Sequence, residues 1–285
     1  MTRTRATVIG FTAVLMWALL ALLTIGSAPM PPFLLSAVCF AIGGAIGLIW
    51  TVRGPGLVSL LHVPLKVYVF GTLGLFGYHA LYFTAFRIGP SAATGLIAYL
   101  WPLFIVLMSG VLPGEQLRIG HVVGALIALA GAAILVLGEG VGGANATALG
   151  LAFLCALTWA GYSVLSRHLG AVPSETVTVY CIATAVLSLV AHLTWEQTEW
   201  PATAVGWAAV LALGIGPVGV AFFTWDIGMK RGDIQLLGVA SYAAPLLSTI
   251  ILVIAGISPA TSGLAFATAL ITAGAALAAR ASAAR

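Results

Sequence analysis

Charged side chains are scarce in this sequence. Of its 285 residues, 11 are Lys or Arg and 7 are Asp or Glu, while 61% are hydrophobic. An ordinary soluble domain carries charge on about a quarter of its residues. So few charges could not cover a water-facing surface. The composition therefore excludes an ordinary soluble fold and indicates a protein embedded in a membrane.

Motifs for catalysis, metal binding and nucleic-acid binding are also missing. The chain has no HExxH, no GxSxG and no carboxylate cluster, as a membrane-embedded enzyme would need. Cys39, Cys155 and Cys181 lie in apolar runs without CxxC or Cys/His spacing, which supports neither a zinc site nor a disulfide framework. The basic residues form no patch or stripe. We expect no catalytic residue, metal, cofactor or nucleic-acid partner.

Long apolar runs dominate what is present. A membrane-spanning helix needs about 20 mainly apolar residues, and the runs here are separated by turn residues such as Pro and Gly. The first run has a basic start and no clear cleavage site, so we expect it to be retained as a helix. The predicted all-α fold has ten transmembrane helices, at residues 7–26, 33–52, 66–87, 91–111, 119–137, 147–166, 175–194, 204–227, 233–254 and 260–279.

The positions of basic residues predict the orientation. Lys and Arg are enriched in the cytoplasmic loops of membrane proteins. If the N-terminus is cytoplasmic, Arg87 is the only one of the 11 basic residues on the outer side. We therefore expect a multi-pass protein of the bacterial inner membrane, surrounded by lipid, with both termini in the cytoplasm.

The eight tryptophans fall into two groups. Tryptophan is enriched at membrane interfaces, where its polar N–H can reach water. Five tryptophans lie near the ends of predicted helices and are expected at these interfaces: Trp50, Trp195, Trp200, Trp207 and Trp225. Three lie in the middle of helices, where interface anchoring does not explain them: Trp17, Trp101 and Trp159.

The sequence contains an internal repeat. At a shift of 143 residues, Tyr99 aligns with Tyr242 and Pro102 with Pro245. At a shift of 142, the first helix aligns with the sixth. In that alignment Phe11, Leu15, Trp17, Ala18 and Leu23 meet Phe153, Leu157, Trp159, Ala160 and Leu165. Matched Trp, Tyr and Pro in order, at a nearly constant shift, indicate two related halves, residues 1–143 and 144–285.

Five helices in each half predict that the halves are inverted, because an odd number starts the second half on the opposite side. Inverted repeats recur in secondary transporters, whose substrate site lies near the midplane between the halves. Such halves can exchange conformations, which gives outward-open and inward-open states from one sequence.

The ten helices, the two five-helix repeats and the first helix of each half (Ala13 to Trp17, Cys155 to Trp159) resemble the EamA-type branch of the drug/metabolite transporter superfamily. The resemblance covers the whole chain. The aromatic runs 77–82 and 98–102 are similar to those of the aromatic amino acid exporters in that branch. The resemblance implies export of aromatic and other neutral amino acids by alternating access, and we expect the protein to work as a monomer.

His79 is the only ionisable residue near the middle of a predicted helix. An intramembrane ionisable group is a candidate functional residue. Tyr78 and Tyr82 accompany it on an aromatic, partly polar face, and we expect all three to bind substrate. A neutral histidine that only bonds a neighbouring helix is the structural alternative. Around His79 the halves differ, since its repeat equivalent is Phe222 and that of Tyr82 is Trp225.

Two prolines in matching positions predict kinks in the fourth and ninth helices. Pro102 and Pro245 each remove a backbone hydrogen bond and leave a carbonyl free. In a membrane such a group must be satisfied by a neighbour, water or ligand. The kinks therefore indicate a cavity wall or a hinge, or they serve packing alone. The candidate substrate-binding residues beside them are Tyr99, Trp101, Ser241 and Tyr242.

The mid-helix pair Trp17 and Trp159 completes the candidate site. Trp159 shares a helical face with Ser163, which we include with it as substrate-binding. These aromatic rings could stack on a substrate ring, plug the path or simply pack.

Buried charge is expected to be absent. We expect Asp226 and Asp233 to form surface ion pairs beside Lys230. Multidrug exporters of the same superfamily use a glutamate in the first helix, and this first helix has none. Nucleotide-sugar and sugar-phosphate carriers need cationic side chains to hold phosphate, and the predicted midplane has none. A neutral or zwitterionic substrate and downhill transport fit best. Export of other metabolites or drugs, or coupling to protons through His79, is the alternative.

Overall fold

The computed structural model describes residues 1–89, 91–137, 145–169, 171–257 and 259–283, and helices account for all regular structure in them. The first half contains α1 (Arg3–Trp17), α2 (Leu20–Gly26), α3 (Pro32–Arg53), α4 (Val58–Leu61), α5 (Leu65–Ile88), α6 (Ser91–Ala98), α7 (Trp101–Ser109) and α8 (Ile119–Leu137). The second half contains α9 (Ala146–His168), α10 (Val177–Trp195), α11 (Ala204–Ile215), α12 (Ala221–Arg231), α13 (Ile234–Ala240), α14 (Ala243–Ile254) and α15 (Ser262–Ala283). A 3-10 turn (Ser174–Thr176) precedes α10, and a π-helical turn (Gly216–Val220) joins α11 to α12.

Apolar helices long enough to cross a membrane confirm the all-helical, multi-pass prediction. Eight such helices occur among the described residues, and two shorter apolar helices, Ala93–Ser109 and Ile119–Ile134, accompany them. All ten fall where the sequence predicts its ten spans. The two short ones leave the count of ten a prediction, because spanning helices range from about 17 to 25 residues.

Four of the long helical paths are interrupted. Two breaks come just before the prolines, where α6 ends at Ala98 and α14 begins at Ala243. The other two breaks lie between α1 and α2 and at the π-helical turn. No pair of matching prolines in the two halves predicts them. Trp17, Tyr99 and Pro217, at three of the interruptions, line the cavity described below, and Ser241 and Tyr242 at the fourth are buried. Irregular backbone at membrane depth must line a cavity or be buried in protein.

The halves pack against each other through small residues. Helix α1 packs on α12, α5 on α9, α3 on α10, α7 on α13 and α8 on α15. An added Cβ on Gly10 of α1 would lie 2.8 Å from the Cα atom of Gly228 of α12. Ala85 and Ala152 make the corresponding crossing of α5 and α9. Such crossings let helices associate where lipid provides no hydrophobic drive.

The glycine crossing can be tested by adding one methyl group. We expect Gly10→Ala to lower the thermal unfolding temperature in detergent, because overpacking a tight contact costs about 1–3 kcal/mol. Gly150→Ala is the matched control, since a Cβ on Gly150 meets no atom within 4 Å. Equal unfolding temperatures for the two variants would show that the α1–α12 contact does not limit packing.

Candidate functional site

Four tryptophans from four helices meet at the centre of the molecule. Trp17 of α1, Trp101 of α7, Trp159 of α9 and Trp225 of α12 form six ring pairs, with centroid separations between 5.0 Å (Trp17–Trp225) and 6.4 Å (Trp101–Trp159). Most of these pairs are edge-to-face or tilted, as aromatic rings prefer. We call this cluster the tryptophan tetrad. It contains two residues from each half.

Two hydrogen bonds fix the tetrad. The Trp17 indole N–H donates to the carbonyl of Pro217 in the π-helical turn at 3.0 Å. The Trp225 indole N–H donates to the Ser163 hydroxyl at 3.0 Å. A buried indole usually finds a partner for its N–H. The π-helical turn and Ser163 therefore hold the orientation of two of the four rings.

The expected interface position of Trp225 is wrong. Trp225 is fully buried in the tetrad. The sequence predicts that the eighth helix spans residues 204–227, which places Trp225 at its end, whereas α12 continues to Arg231. The extra turn moves Trp225 into the interior. Its repeat equivalent is Tyr82, a predicted substrate-binding residue, and this match is the sequence signal from which the interior position could have been predicted.

A cavity of about 400 Å³ borders the tetrad, and Trp17, Trp101 and Trp159 line it. Small-molecule sites commonly occupy about 300–1,000 Å³. The cavity extends towards the end of the molecule where α2 ends and α3 begins, reaching Thr24, Met30 and Pro32. None of the described residues that line it is Asp, Glu, Lys or Arg. The aromatic and histidine side chains that line it are Trp17, Tyr78, His79, Tyr82, Phe83, Tyr99, Trp101, Trp159 and Phe222.

His79 has a defined hydrogen-bonding state in this cavity. Its Nδ1 lies 2.8 Å from the Leu75 carbonyl oxygen. Because a carbonyl can only accept, Nδ1 carries the proton, and Nε2 of the neutral ring is an acceptor. Phe40 and Phe222 pack on the ring with centroids at 5.0 and 6.0 Å. The imidazole is therefore held rigidly in an aromatic frame.

Several hydroxyl groups add polarity to the aromatic wall. Tyr78 and Tyr82 stack with centroids 5.9 Å apart, and Tyr78 also packs on Trp159. Tyr99 and Ser248 line the same space. A hydroxyl can donate one hydrogen bond and accept others. The cavity thus offers apolar ring surfaces together with neutral donors and acceptors.

The structure brings seven of the ten candidate substrate-binding residues to one cavity: Tyr78, His79, Tyr82, Tyr99, Trp101, Trp17 and Trp159. The other three lie elsewhere and are fully buried. Ser163 accepts from Trp225, Ser241 donates to the Leu237 carbonyl at 2.7 Å, and Tyr242 packs in a cluster with Val106. Pro102 and Pro245 follow the breaks between α6 and α7 and between α13 and α14.

Ion pairs close the molecule at the N-terminal end of α1. Glu115, in the connection between α7 and α8, pairs with Arg3 at 2.9 Å and with Arg167 at the end of α9. Arg167 also donates to the carbonyls of Met229 and Gly232 at 2.9 Å. Arg3 reaches Asp233 at 3.6 Å. This network joins both halves below the tetrad.

The expected surface location of Asp226 is wrong. Its carboxylate is 2% exposed, lies 2.9 Å from Lys230 Nζ and accepts from the Ser174 hydroxyl at 2.6 Å. The 3-10 turn that carries Ser174 covers it, which the sequence pattern does not show. Unpaired burial of a carboxylate would be very costly, whereas here a cation and a hydroxyl compensate it.

A second buried carboxylate holds the opposite end together. Glu196 accepts from the backbone N–H groups of Phe33 and Leu34 at the start of α3. It also pairs with His192 at 3.0 Å and with Arg87 at 3.3 Å. A carboxylate at a helix N-terminus is favourable. Arg87, the isolated basic residue on this side, therefore has a structural partner.

Comparison with known proteins gives the family. The EamA-like transporter family matches residues 4–137 and again residues 146–280. The chain belongs to the EamA-like transporter family. The two matched stretches cover nearly the whole chain, and they make this member of the EamA-like family a transporter with a repeated domain rather than an enzyme.

Curated relatives of this EamA-like chain carry one name. A protein of Ancylobacter novellus called aromatic amino acid exporter YddG is 53% identical over 98% of this chain and 98% of its own length. Proteins of Salmonella typhimurium and Escherichia coli with the same name are 27% and 25% identical, over 87% of this chain and 88% of their own. A solved crystal structure superposes with a TM-score of 0.92 at 52% identity, covering 97% of this chain and 98% of that chain.

The contribution of the Trp17 indole, its hydrogen bond and part of its ring packing, can be tested by a smaller aromatic residue. We expect Trp17→Phe to lower the unfolding temperature in detergent, since a lost hydrogen bond costs about 0.5–1.5 kcal/mol. Trp207→Phe is the control, because Trp207 only stacks on Trp200 and is 41% exposed. If Trp17→Phe is as stable as Trp207→Phe, the bond to Pro217 does not hold the tetrad.

Proposed function

We propose that this protein exports aromatic and other neutral amino acids across the inner membrane by alternating access. The observation that carries the proposal is the uncharged, aromatic cavity of about 400 Å³ above the tryptophan tetrad. Its size suits one amino acid, since small-molecule sites occupy about 300–1,000 Å³. The name of the 53% identical relative supports the substrate class.

The helix contacts support an inverted repeat of two five-helix halves, residues 1–143 and 144–285. Exchanging the halves converts the α1–α12 contact into the α9–α5 contact, and the α6–α9 contact into the α13–α1 contact. The α3–α10 and α8–α15 contacts convert into themselves. Two separate family matches, 4–137 and 146–280, agree with this division. An exchange of conformations between the halves would move the cavity opening from one end to the other.

The proposed orientation places both termini in the cytoplasm. Lys and Arg then concentrate on the cytoplasmic side, as in other membrane proteins. In that orientation the ion pairs of Glu115 close the cytoplasmic end, and the cavity opens outward past Thr24. The described state is therefore the one from which an exporter releases its substrate. Pro102 and Pro245 are the proposed hinges.

The cavity provides complementary groups for a neutral amino acid. The Nε2 acceptor of His79 can bind the substrate ammonium group, and the tyrosine hydroxyls of Tyr78, Tyr82 and Tyr99 can bind its carboxylate. Trp17, Trp101 and Trp159 offer ring surfaces to an aromatic side chain. Wall residues of both halves contribute to this one site, so a monomer suffices.

Facilitated transport fits this lining better than proton coupling. Proton-coupled transporters use ionisable groups within the membrane. The described residues that line the cavity include one histidine, His79, and no Asp, Glu, Lys or Arg. With Nδ1 bonded to a carbonyl, the neutral form of His79 offers Nε2 as a hydrogen-bond acceptor. The cytosolic amino-acid gradient then drives export.

Flux into proteoliposomes tests the substrate class. Purified protein should carry labelled phenylalanine, and unlabelled tryptophan, tyrosine and other neutral amino acids should compete. Organic cations and sugar phosphates should not compete, because the part of the cavity lining that the structure describes carries no Asp, Glu, Lys or Arg. Equal competition by unrelated cations would disprove the amino-acid assignment.

Point variants test the site. We expect His79→Ala and Trp101→Ala to reduce phenylalanine flux without loss of expression, since about 1.4 kcal/mol of lost binding energy weakens affinity tenfold. His62→Ala is the matched control for histidine, because His62 makes the same bond to its own helix at 2.9 Å but is exposed. Trp195→Ala, with Trp195 64% exposed, controls for loss of an indole. Unchanged flux in both site variants would move the site elsewhere.

The driving force can be separated from the substrate. A facilitator should transport phenylalanine at the same initial rate in liposomes with and without a pH gradient. Protein-free liposomes report passive leakage. Flux that vanishes without the gradient and returns with it would show that transport is proton-coupled.

A further inference from the structure

The buried carboxylate of Glu196 bonds to three helices at the end of the molecule where the cavity opens. It accepts hydrogen bonds from the backbone N–H groups of Phe33 and Leu34 in α3, at 3.1 and 3.2 Å. His192 of α10 lies 3.0 Å away, and Arg87 of α5 lies 3.3 Å away. The Glu196 side chain is 1% exposed. One carboxylate therefore fixes these ends of α3, α5 and α10 relative to one another.

Two of these helices continue into the cavity walls. In α3, Pro32 lines the cavity and directly precedes the N–H groups that Glu196 binds. In α5, Phe83 and His79 line the cavity one and two helical turns before Arg87. Glu196 itself does not line the cavity. It therefore holds two cavity walls from behind the site, without offering the substrate a charge.

A chain of ring contacts also joins Glu196 to His79. Phe33, whose N–H group donates to Glu196, packs edge-to-face on Phe83 with centroids 5.6 Å apart. Phe83 in turn packs on His79 at 6.0 Å and on Tyr82 at 5.8 Å. Close-packed interiors transmit a displacement from one side chain to the next. A shift of Phe33 therefore reaches the imidazole that faces the cavity.

The repeated architecture does not require this carboxylate. Shifts of 142 and 143 pair Glu196 with Gly54 and Arg53, neither of which is acidic. Arg87 corresponds to Lys230 at a shift of 143, and Lys230 pairs with an aspartate of its own helix. The link from α5 to a carboxylate on another helix is therefore a feature of this end of the cavity and not of the repeat.

We propose that Glu196 is a positioning residue that holds His79 in the place where it binds an aromatic or other neutral amino acid. The inference rests on the proposed function, because it takes His79 as part of the substrate site. Glu196 acts by two routes. One runs along α5 from Arg87, and the other passes through the rings of Phe33 and Phe83. Because binding groups must be held within about 0.5 Å of the productive geometry, Glu196 sets the affinity for substrate.

Glu196→Gln tests this role with little change in shape. A carboxylate only accepts hydrogen bonds, whereas a glutamine amide keeps one acceptor oxygen and adds an NH2 donor. The groups of α3 and α5 around residue 196 are donors, so the NH2 group cannot replace the lost oxygen. Glu199→Gln is the matched control. It makes the same charge change in the same connection, at an exposed residue with no hydrogen bond or ion pair among the described residues.

We expect Glu196→Gln to raise the KM of phenylalanine transport about tenfold, since a small misplacement of binding groups is costly. The maximal rate per folded protein should be nearly unchanged, and Glu199→Gln should change neither quantity. In a His79→Ala background the effect of Glu196→Gln on KM should be lost, because residues that act through one another are not additive. A lower maximal rate with unchanged KM, or an equal rise in KM with and without His79, would refute the positioning role.

A spectroscopic measurement reads the position of His79 without transport. In protein that contains isotope-labelled histidine, the imidazole resonances that vanish in His79→Ala identify this residue. These resonances should shift in Glu196→Gln and keep their place in Glu199→Gln. Unshifted resonances in folded Glu196→Gln would overturn the proposal and leave export intact. If the resonances shift while the parent protein carries no phenylalanine, the hold on His79 stands, and its use in amino-acid transport fails with the export proposal.

Arg87→Gln provides a second variant in case Glu196→Gln does not fold. The Arg87 side chain is 50% exposed, and its replacement leaves the backbone bonds of Glu196 in place. We expect a smaller rise in KM than in Glu196→Gln and a shift of the same His79 resonances. If folded Arg87→Gln shows neither change, Glu196 does not position His79.

Discussion

The close approach of α1 and α12 at Gly10 and Gly228 is the contact on which the site depends. Without side chains at this crossing, the two backbones touch, and a Cβ on Gly228 would lie 2.6 Å from the Cα atom of Gly10. Trp17 lies two helical turns after Gly10 in α1, and Trp225 lies one turn before Gly228 in α12. The short interhelical distance lets their rings meet with centroids 5.0 Å apart. Larger residues at the crossing would open the floor of the cavity.

Composition and periodic apolar runs were sufficient to predict the helical membrane fold, because lipid leaves few alternatives to helices. They also identified His79 and the aromatic residues around it, since a polar or aromatic residue at mid-depth departs from the local pattern. The location of Trp225 could not be predicted, because one additional turn of α12 decides whether it lies at the interface or in the core. The same holds for Asp226, whose burial depends on Ser174, a residue 52 positions away in the chain.

The π-helical turn connects the backbone irregularities to the site. Its Pro217 carbonyl receives the Trp17 indole N–H just before the break between α1 and α2. A regular helix on either side would leave neither the free carbonyl nor the space for the ring. Irregular backbone at membrane depth is tolerated only where it lines a cavity or is buried in protein. In this protein the π-helical turn is buried and also lines the cavity. It orients the ring of Trp17, which forms the centre of the cavity floor.

The two ends of the molecule differ in how strongly they can close. At the N-terminal end of α1, closure combines Trp101 and Trp225 with the ion pairs of Glu115. The repeat equivalents at the other end are Ala244 and Tyr82, which offer less ring surface. Arg3 and Arg167 correspond to Asn145 and Ile25, so the ion pairs have no charged counterpart there. The rings of Trp101 and Trp225 and the ion pairs of Glu115 thus stabilise closure at the N-terminal end of α1, and the cavity opens at the end where α2 meets α3.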